Sequence, residues 1–485
     1  MFLFLVTLLL VILTGFAIKS MTKPKKYPPG PAWFPFIGSN SIVQIMGKKH
    51  GSQWKGLSAL AKEYSTQVLG LKLASELVVV VYGEKNCRQV FTEPEFEGRP
   101  DNFFSRLRCL GKRMGITFTD GPLWKEHRQF TVKHLRHVGF GKTLMEKEIQ
   151  KEMTNLVGYL QKNINKTVNP KSILASSVMN TLWKYVAGER FKEDRLKYLL
   201  DLLNARSKAF TITGGWLNQM PWCRFLLPEL TGYSLICKLN KQLSDILEEA
   251  IVKHKNKVME GDDFIYSFLN EMESKREMYT EDHLKTILLD LLIAGSQTTS
   301  NVLEFALLVI VREVGFQKKI YEEIKSVIGN ETPCWNDNNR LIYTSAFLQE
   351  VHRYYSIVPL AGPRRVLNDC VIDGYRIPKN TTVLMSIGDV HFDPEIWDHP
   401  NEFKPERFID ESGALKNAEH MYPFGLGRRR CPGDSLAKSF IFIIFVGILQ
   451  KFYVTCNKNE VPSGEPTIGI ISSAKPFSVE FVPRD

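Results

Sequence analysis

Cysteine is scarce in this chain, and its spacing excludes several chemistries. The 485 residues hold eight, Cys87, Cys109, Cys223, Cys237, Cys334, Cys370, Cys431 and Cys456, with no CxxC or CxxH pair. Neither a zinc finger nor a thioredoxin-like redox pair is indicated, and a reducing compartment fits best. HExxH and GxSxG are both missing, so zinc-protease and serine-hydrolase chemistry have no foothold. Gly141, Lys142 and Thr143 end like a phosphate loop, but the glycine required five positions earlier is Arg136, which leaves the cradle of backbone amides incomplete. Gly425 and Gly427 lack the third glycine of a dinucleotide turn and run into three arginines. What is present is ample apolar material: 44% hydrophobic and 24% charged residues support a large core and exclude disordered, collagen-like and disulfide-scaffold classes. The 63 Lys+Arg against 52 Asp+Glu give +11, a balance open to nucleic acid, anionic membrane or an acidic protein partner.

The amino terminus, Met1 to Ile18, carries no charge and is just long enough to cross a bilayer, which takes roughly 18 to 20 residues. Lys19, Lys23, Lys25 and Lys26 follow it, and the positive-inside rule places them, with everything after them, in the cytosol. The competing reading is a cleaved signal peptide, but no basic region precedes the run and no small-x-small site stands clear of the lysines. Pro28, Pro29, Gly30 and Pro31 forbid helix and favour a stiff extended turn. No later composition shift, low-complexity tract or repeat divides the chain. The expected organisation is a transmembrane anchor over 1–18, a basic and proline-rich hinge over 19–33, and one large domain over 34–485.

Helical periodicity dominates that domain, over 124–138, 145–162, 193–210, 236–258 and a long run over 281–327. Strand signals are few: 77–82, ending at Gly83, then 371–377 with 381–385, and 477–482 as short hairpin strands. The fold class is mainly α with a minor β-sheet region.

One stretch sets a cysteine apart. Within 423–433, Gly425, Gly427 and Gly433 let the backbone approach a flat ligand, and Arg428, Arg429 and Arg430 suit a carboxylate. Cys431 sits just before an apolar helical run over 436–449, where amide hydrogens and the helix dipole lower a thiol pKa. A buried cysteine beside a basic turn is the plainer alternative. The spacing of Phe424, Gly427, Arg429, Cys431 and Gly433 resembles the haem-binding signature of the cytochrome P-450 superfamily. That resemblance implies the cytochrome P-450 fold, with Cys431 the proximal thiolate ligand of the iron in haem b (iron protoporphyrin IX), Phe424 beside the sulfur and Arg429 on a propionate. A thiolate ligand pushes electron density onto the iron and favours O–O cleavage.

Further stretches extend the resemblance over essentially the whole chain. Glu350 and Arg353 resemble the family's ExxR helix, and Arg407, in the stretch Pro405 to Phe408, would complete a buried ion network of structural purpose. Trp124 and Arg128, one helical turn apart, resemble a propionate-binding pair, and Arg364 stands where members often carry another propionate ligand. In the central helix, apolar on nearly every face, Ala294 and Gly295 are followed by the polar Ser296, Gln297, Thr298, Thr299 and Ser300. Those hydroxyls can simply bond back one turn; the resemblance makes the stretch an oxygen-binding groove with Thr298 as its hydrogen-bonding residue. Gln297 departs from the family, which usually has Asp or Glu there. An amide positions water but exchanges no proton, so the expectation is another water path for protons or a changed mode of attack on an alkene.

The family's pocket walls map to Phe103, Phe104, Leu107, Ile116, Phe118, Ala294, Val358, Leu360 and Ile470, an apolar set suited to a lipid-like substrate. No flavin or nicotinamide motif is present, so the resemblance implies NADPH-derived electrons from a separate cytochrome P-450 reductase, with cytochrome b5 as a further partner. Lys125, Lys133, Arg136, Arg428, Arg430 and Lys438 would form the basic docking face. Membrane lipid and an apolar small molecule complete the partners, and nucleic acid is not among them. The implied activity is insertion of one atom of O2 at the endoplasmic reticulum membrane, with the catalytic domain facing the cytosol. The stretch 96–108 and the central helix look most like an insect group containing methyl farnesoate epoxidases of juvenile hormone synthesis. A broad detoxifying hydroxylase, a haem-thiolate isomerase needing no external electrons, and a haem-binding protein without turnover are the alternatives.

Overall fold

The computed structural model describes residues 2–137, 139–141, 143–164, 166–210, 217, 220–256, 261–416, 418–457 and 461–484. Met1, Val138, Lys142 and Val258, which fall within motifs read from the sequence, lie outside this set, as do the side chains of Leu3, Leu9, Leu10 and Leu13. The first helix, α1, spans Phe2–Met21. Among the described residues no helix is long and apolar enough to cross a membrane.

The proline segment is docked rather than free. The Tyr27 hydroxyl donates to the carbonyls of Leu71 and Val78, and Gly70 N donates to Pro29 O at 2.7 Å. A Cβ on Gly30 would meet Gly70 O at 2.1 Å, so glycine permits this contact. The connection between α1 and the body therefore shortens to the lysine-rich stretch, whose Lys23 Nζ itself donates to Gly30 O at 2.7 Å.

Strands β1 (Val68–Leu73) and β2 (Glu76–Val81) pair antiparallel. Val79 and Val81 enter one apolar cluster with Val68, while Val78 and Val80 enter another with Leu69 and Leu71. Both faces of β2 are covered, which is why its sequence is apolar without alternation. The helical body follows as α2 (Gly121–His137), α3 (Thr143–Lys162), α4 (Pro170–Ala187), α5 (Glu193–Ala209), α6 (Tyr233–Lys255) and α7 (Phe264–Ser274).

Helix α8 (Glu281–Arg312) runs through the middle. Its 32 residues extend about 48 Å. Thr280 caps it by accepting from His283 N at 3.3 Å, and Glu281 and Asp282 occupy the first turn, where negative charge complements the dipole. The helical run expected through residue 327 breaks at Glu313, and α9 (Val314–Val327) follows as a separate helix. After α10 (Ile342–Tyr355) come β3 (Leu360–Arg365) and β4 (Thr382–Ser386).

The main sheet has the order β1-β2-β4-β3, with β4 parallel to β2 and antiparallel to β3. The sequence pairs 381–385 with the preceding hairpin; instead Cys370–Ile372 and Tyr375–Ile377 close on each other. Val383, Leu384 and Met385 are all buried, and a strand apolar on both faces belongs inside a sheet rather than at its edge. Helix α11 (Asp434–Lys451) then leads to β5 (Phe452–Thr455), β6 (Pro466–Ile468), β7 (Ser472–Ala474) and β8 (Glu480–Pro483), paired as β5 with β8 and β6 with β7. The predominantly helical class with small sheets is as expected.

Candidate active site

The cysteine loop takes its shape from two glycines. Gly425 and Gly427 both hold φ at +67°, a region glycine enters without steric cost, and a Cβ on Gly427 would meet Phe91 O at 2.3 Å. Cys431 N donates to Phe424 O at 2.9 Å, and Arg430 N to Gly427 O at 3.1 Å. The turn so closed delivers Cys431 just ahead of α11 and into an internal cavity that Thr298, Ala294 and Val302 line from α8. Phe424, Arg429, Arg364 and Val358 share its wall. Desolvation at the cavity wall, with the Asp434 carboxylate beside it, pushes the Cys431 thiol up against the Gly433 amide and the Arg128 and Arg430 charges that pull it down. The charges are where the sequence puts them; desolvation is a property of the assembled cavity.

Three guanidinium groups meet at one side of this cavity. Arg99, Arg364 and Arg429 all line it, and Arg99 Nε, Arg364 Nε and Arg429 Nη1 are buried without a hydrogen-bond partner. Burial lowers their pKa values, and neighbouring guanidiniums add to it: Arg429 falls to about 9 and Arg99 well below the arginine range, while Arg364, beside Arg128, falls to about 10 although Glu97 pulls it upward. Buried, unpaired like charges are costly, so the arrangement is suited to an anionic ligand with more than one carboxylate. Arg99 was missed as a site residue although it lies within the stretch 96–108, because nothing local there shows which distant segment an arginine will face; only the fold sets it beside Arg364, whose strand holds the Gly362 carbonyl that Arg99 Nη1 reaches at 3.0 Å.

Trp124 and Arg128 stand beside this arginine group rather than on the cavity wall. Trp124 Nε1 donates to Ile116 O at 3.1 Å, and Arg128 donates to the Arg430 carbonyl. Trp124 instead backs Arg429, whose guanidinium lies 3.4 Å from its ring centroid. Both residues brace the cysteine loop from α2.

The Glu350–Arg353–Arg407 network is assembled as expected. Glu350 and Arg353 are fully buried and joined at 2.7 Å, and Arg407 reaches Glu350 at 3.2 Å. Arg353 also donates to the carbonyls of His391, Pro400 and Glu402, which ties α10 to the segment before the cysteine loop.

On α8, Thr298 donates its hydroxyl to Ala294 O at 2.9 Å, leaving its oxygen as an acceptor at the cavity. Gln297 points elsewhere. It accepts from Ser207 Oγ and donates to Asn204 Oδ1, both at 3.1 Å, at a separate cleft of about 700 Å3 between α8, α4 and α5. At 100° per residue, neighbours on a helix cannot share a narrow face.

Of the apolar candidates, Ala294 and Val358 line the cavity. Phe103, Phe104 and Leu107 pack instead with Phe210 and Ile236, and Leu360 joins the β1–β2 cluster. Phe118 lies under the Arg108 guanidinium. Ile116 is held through its backbone, its amide donating to Asp290 Oδ2 at 2.7 Å, and Ile470 does not line the cavity. The apolar wall comes largely from Val178, Leu182, Leu291 and Phe440, which the sequence offers only as core positions. Outside, a cleft of about 1090 Å3 gathers Lys125, Lys133, Arg136 and Arg428. Arg430 pairs with Asp434, and Lys438 sits over the Phe424 ring at 5.3 Å.

A model of the family described as Cytochrome P450 matches residues 28–481. The chain belongs to the cytochrome P450 family. It is 40% identical to a probable cytochrome P450 305a1 of Drosophila melanogaster, over 98% of this chain and 99% of that one. It is 36% identical to a farnesoate epoxidase of Bombyx mori, over 94% of each, and 32% identical to a cytochrome P450 2C3 of Oryctolagus cuniculus, again over 94% of each.

This cytochrome P450 is a monooxygenase whose cofactor is haem with a cysteine thiolate ligand, and a redox partner supplies its electrons. The cavity fits that cofactor: one thiol faces apolar walls, with three guanidiniums at the margin that each keep a buried nitrogen free to meet a carboxylate. When bound, the haem supplies thiolate-supported oxygen activation.

Proposed function

We propose that Cys431 is the haem ligand, that Arg99, Arg364 and Arg429 hold the propionates, and that Thr298 hydrogen-bonds at the oxygen-binding side. The observation carrying this reading is the convergence on one apolar cavity of one thiol and three guanidiniums, each with a buried nitrogen left without a partner. Ala294 and Val302 confine an apolar substrate beside Thr298, while Trp124 and Arg128 stabilise the loop that presents Cys431.

The substrate of this reading is methyl farnesoate or a closely similar isoprenoid ester, epoxidised toward juvenile hormone. The 36% identity to a farnesoate epoxidase over nearly the full length supports it, as does the apolar cavity. Electrons come from an NADPH-dependent flavoprotein reductase docking at the basic cleft of Lys125, Lys133, Arg136 and Arg428. Helix α1 anchors the domain to the cytosolic face of the endoplasmic reticulum. Trp222, Phe225, Leu226 and Leu230, between 56% and 77% exposed, provide a second apolar contact with lipid.

The deciding experiment incubates membrane-reconstituted protein, reductase and NADPH with methyl farnesoate beside several generic xenobiotics. A single epoxide, with the other compounds untouched, is expected. Many products, or none from methyl farnesoate, would reject the assignment in favour of a broader or different hydroxylase.

A further inference from the structure

The guanidiniums at the cavity margin are aimed by residues that lie outside the cavity. Arg99 is gripped by its backbone as well as through Nη1. Its amide donates to Asp120 Oδ2 at 2.8 Å, and its carbonyl accepts from Arg365 Nε at 2.9 Å. Arg365 Nη2 in turn donates to the same Asp120 oxygen at 2.7 Å, so the two side chains close on residue 99 as a clamp. Two residues earlier, Glu97 O accepts from Arg429 Nε at 3.1 Å and from its Nη2 at 2.7 Å. The clamped segment therefore presents one guanidinium and anchors a second, while Arg99 Nε and Arg429 Nη1 keep no partner.

Asp120 ends an irregular segment, 113–120, that is fastened to the central helix as well. Asp290 of α8, 8% exposed, accepts through Oδ2 from the amides of Ile116 and Thr117 at 2.7 and 2.9 Å. Gly115 holds φ at +86°, and a Cβ there would meet that oxygen at 2.4 Å, so glycine admits the carboxylate this close. The Thr119 hydroxyl donates to Gly115 O and closes the turn. Between the two carboxylates, Ile116 O accepts from Trp124 Nε1 at 3.1 Å, and the Trp124 ring lies against the Arg429 guanidinium. Contacts thus run without a gap from α8 to both arginines, through Ile116 and Trp124 to Arg429 and along the segment through Asp120 to Arg99. Burial raises a carboxyl pKa, but the Arg99 amide and the Arg365 and Arg113 guanidiniums outweigh it and hold Asp120 below its ordinary value, so it accepts from all three as the carboxylate. Like charges with unpaired buried nitrogens do not keep their places by attraction to one another; a fixed backbone and a fixed ring supply what holds them.

We propose that segment 113–120 is a strap that positions the propionate-holding guanidiniums, with Asp120 clamping Arg99 and Asp290 latching the strap to α8. This rests on the haem reading of the cavity. Neither carboxylate lines the cavity, and each acts through an arginine.

The test follows haem transfer from full-length haem-loaded protein to an apoglobin-type acceptor, beside the propionate bending band in resonance Raman spectra. Arg99→Leu, Asp120→Ala and Asp290→Leu should each speed haem loss about tenfold, the usual effect of removing a residue that orients a cofactor's ligands, and each should shift the propionate band. The deciding variant is a double. Asp120→Ala combined with Arg99→Leu should lose haem less than about threefold faster than Arg99→Leu alone, because contributions that share a path do not add. A larger further increase would mean that Asp120 acts independently of Arg99 and would overturn the proposal. Wild-type haem loss with an unmoved propionate band, in either Asp120→Ala or Asp290→Leu, would overturn it too. If an aspartate variant fails to fold, Arg365→Met, which removes the other jaw of the clamp, stands in for Asp120→Ala, and Asp290→Asn, which leaves a weaker neutral acceptor, for Asp290→Leu, with the same direction expected. Failure of the underlying reading looks different: Arg99→Leu and Arg429→Leu would then themselves keep the wild-type rate of haem loss.

Discussion

Arg99, Arg364 and Arg429 repel one another across a wall that water cannot screen, and each leaves a buried nitrogen without a partner. Removing one charge therefore relieves the empty protein while weakening its grip on a dicarboxylate. Arg429→Leu is expected to leave thermal stability unchanged or raised without haem, and to speed haem loss to an apoglobin-type acceptor, measured by the Soret absorbance. Unaltered haem loss would remove Arg429 from the propionate site. Glu350 behaves in the opposite way, because its partner is fully enclosed. Glu350→Gln leaves the Arg353 and Arg407 charges uncompensated, and breaking a buried pair of this kind costs about 3–5 kcal/mol. Urea unfolding of the variant should show that loss; a change under about 1 kcal/mol would mean the carbonyls around Arg353 suffice.

Among the elements, α6 and α7 are coupled by a buried histidine. His254, at the end of α6, has Nδ1 2.7 Å from Ala250 O and Nε2 3.1 Å from Asp263 Oδ2. Both partners are acceptors, so the imidazolium, with two donors, is the form that satisfies them. Asp263 in turn caps α7 by accepting from Tyr266 N at 2.9 Å. Burial opposes the charge, but the Asp263 bond and the Ala250 carbonyl outweigh it and hold the His254 pKa above its ordinary value. A raised folded pKa gives a contribution fully present below the unfolded pKa and lost as pH rises through the folded one. The melting temperature is expected to fall as pH rises through that raised value, and His254→Gln should remove this slope. A slope of equal size in the variant would place its origin elsewhere.

Much of this element layer was legible in the sequence, for a physical reason. Helices α2, α3, α5 and α6 each show one apolar face, and periodicity reports such a face directly. Helix α8 announced itself differently, by being apolar all round with a polar interruption. The break at Glu313 was not legible, because apolar spacing continues through it into α9. Strand partners were not legible either: 381–385 reads as a strand, but whether it joins the local hairpin or the distant β2 depends on which faces other elements cover.

For the whole molecule, charge distribution sets how it meets its surroundings. The Lys125, Lys133, Arg136 and Arg428 cleft lies on the side of the Cys431 loop, where Trp124 and Arg128 of the same helix brace that loop. The double variant Lys133→Glu with Arg136→Glu should slow reductase-dependent reduction of the haem several-fold at low salt. The difference should shrink as salt approaches about 0.5 M, where exposed charges are screened. Equal reduction rates at low salt would place the docking face elsewhere. The same variant should keep its substrate-binding spectrum, because neither residue lines the internal cavity.

Local chemistry was determined by the sequence alone. The spacing of Phe424, Gly427, Arg429, Cys431 and Gly433 is read along one short loop, and Glu350 with Arg353 lies within one helical turn, so neighbours in sequence are necessarily neighbours in space. The direction in which side chains point, and the cost of burying them, were decided only by tertiary structure. It turned Gln297 away from Thr298 into a different cleft, set Trp124 against the Arg429 guanidinium, brought Arg99 beside Arg364 and Arg429, and enclosed Glu304. Each of these depends on packing between segments far apart in the chain, and desolvation exists only once that packing is complete.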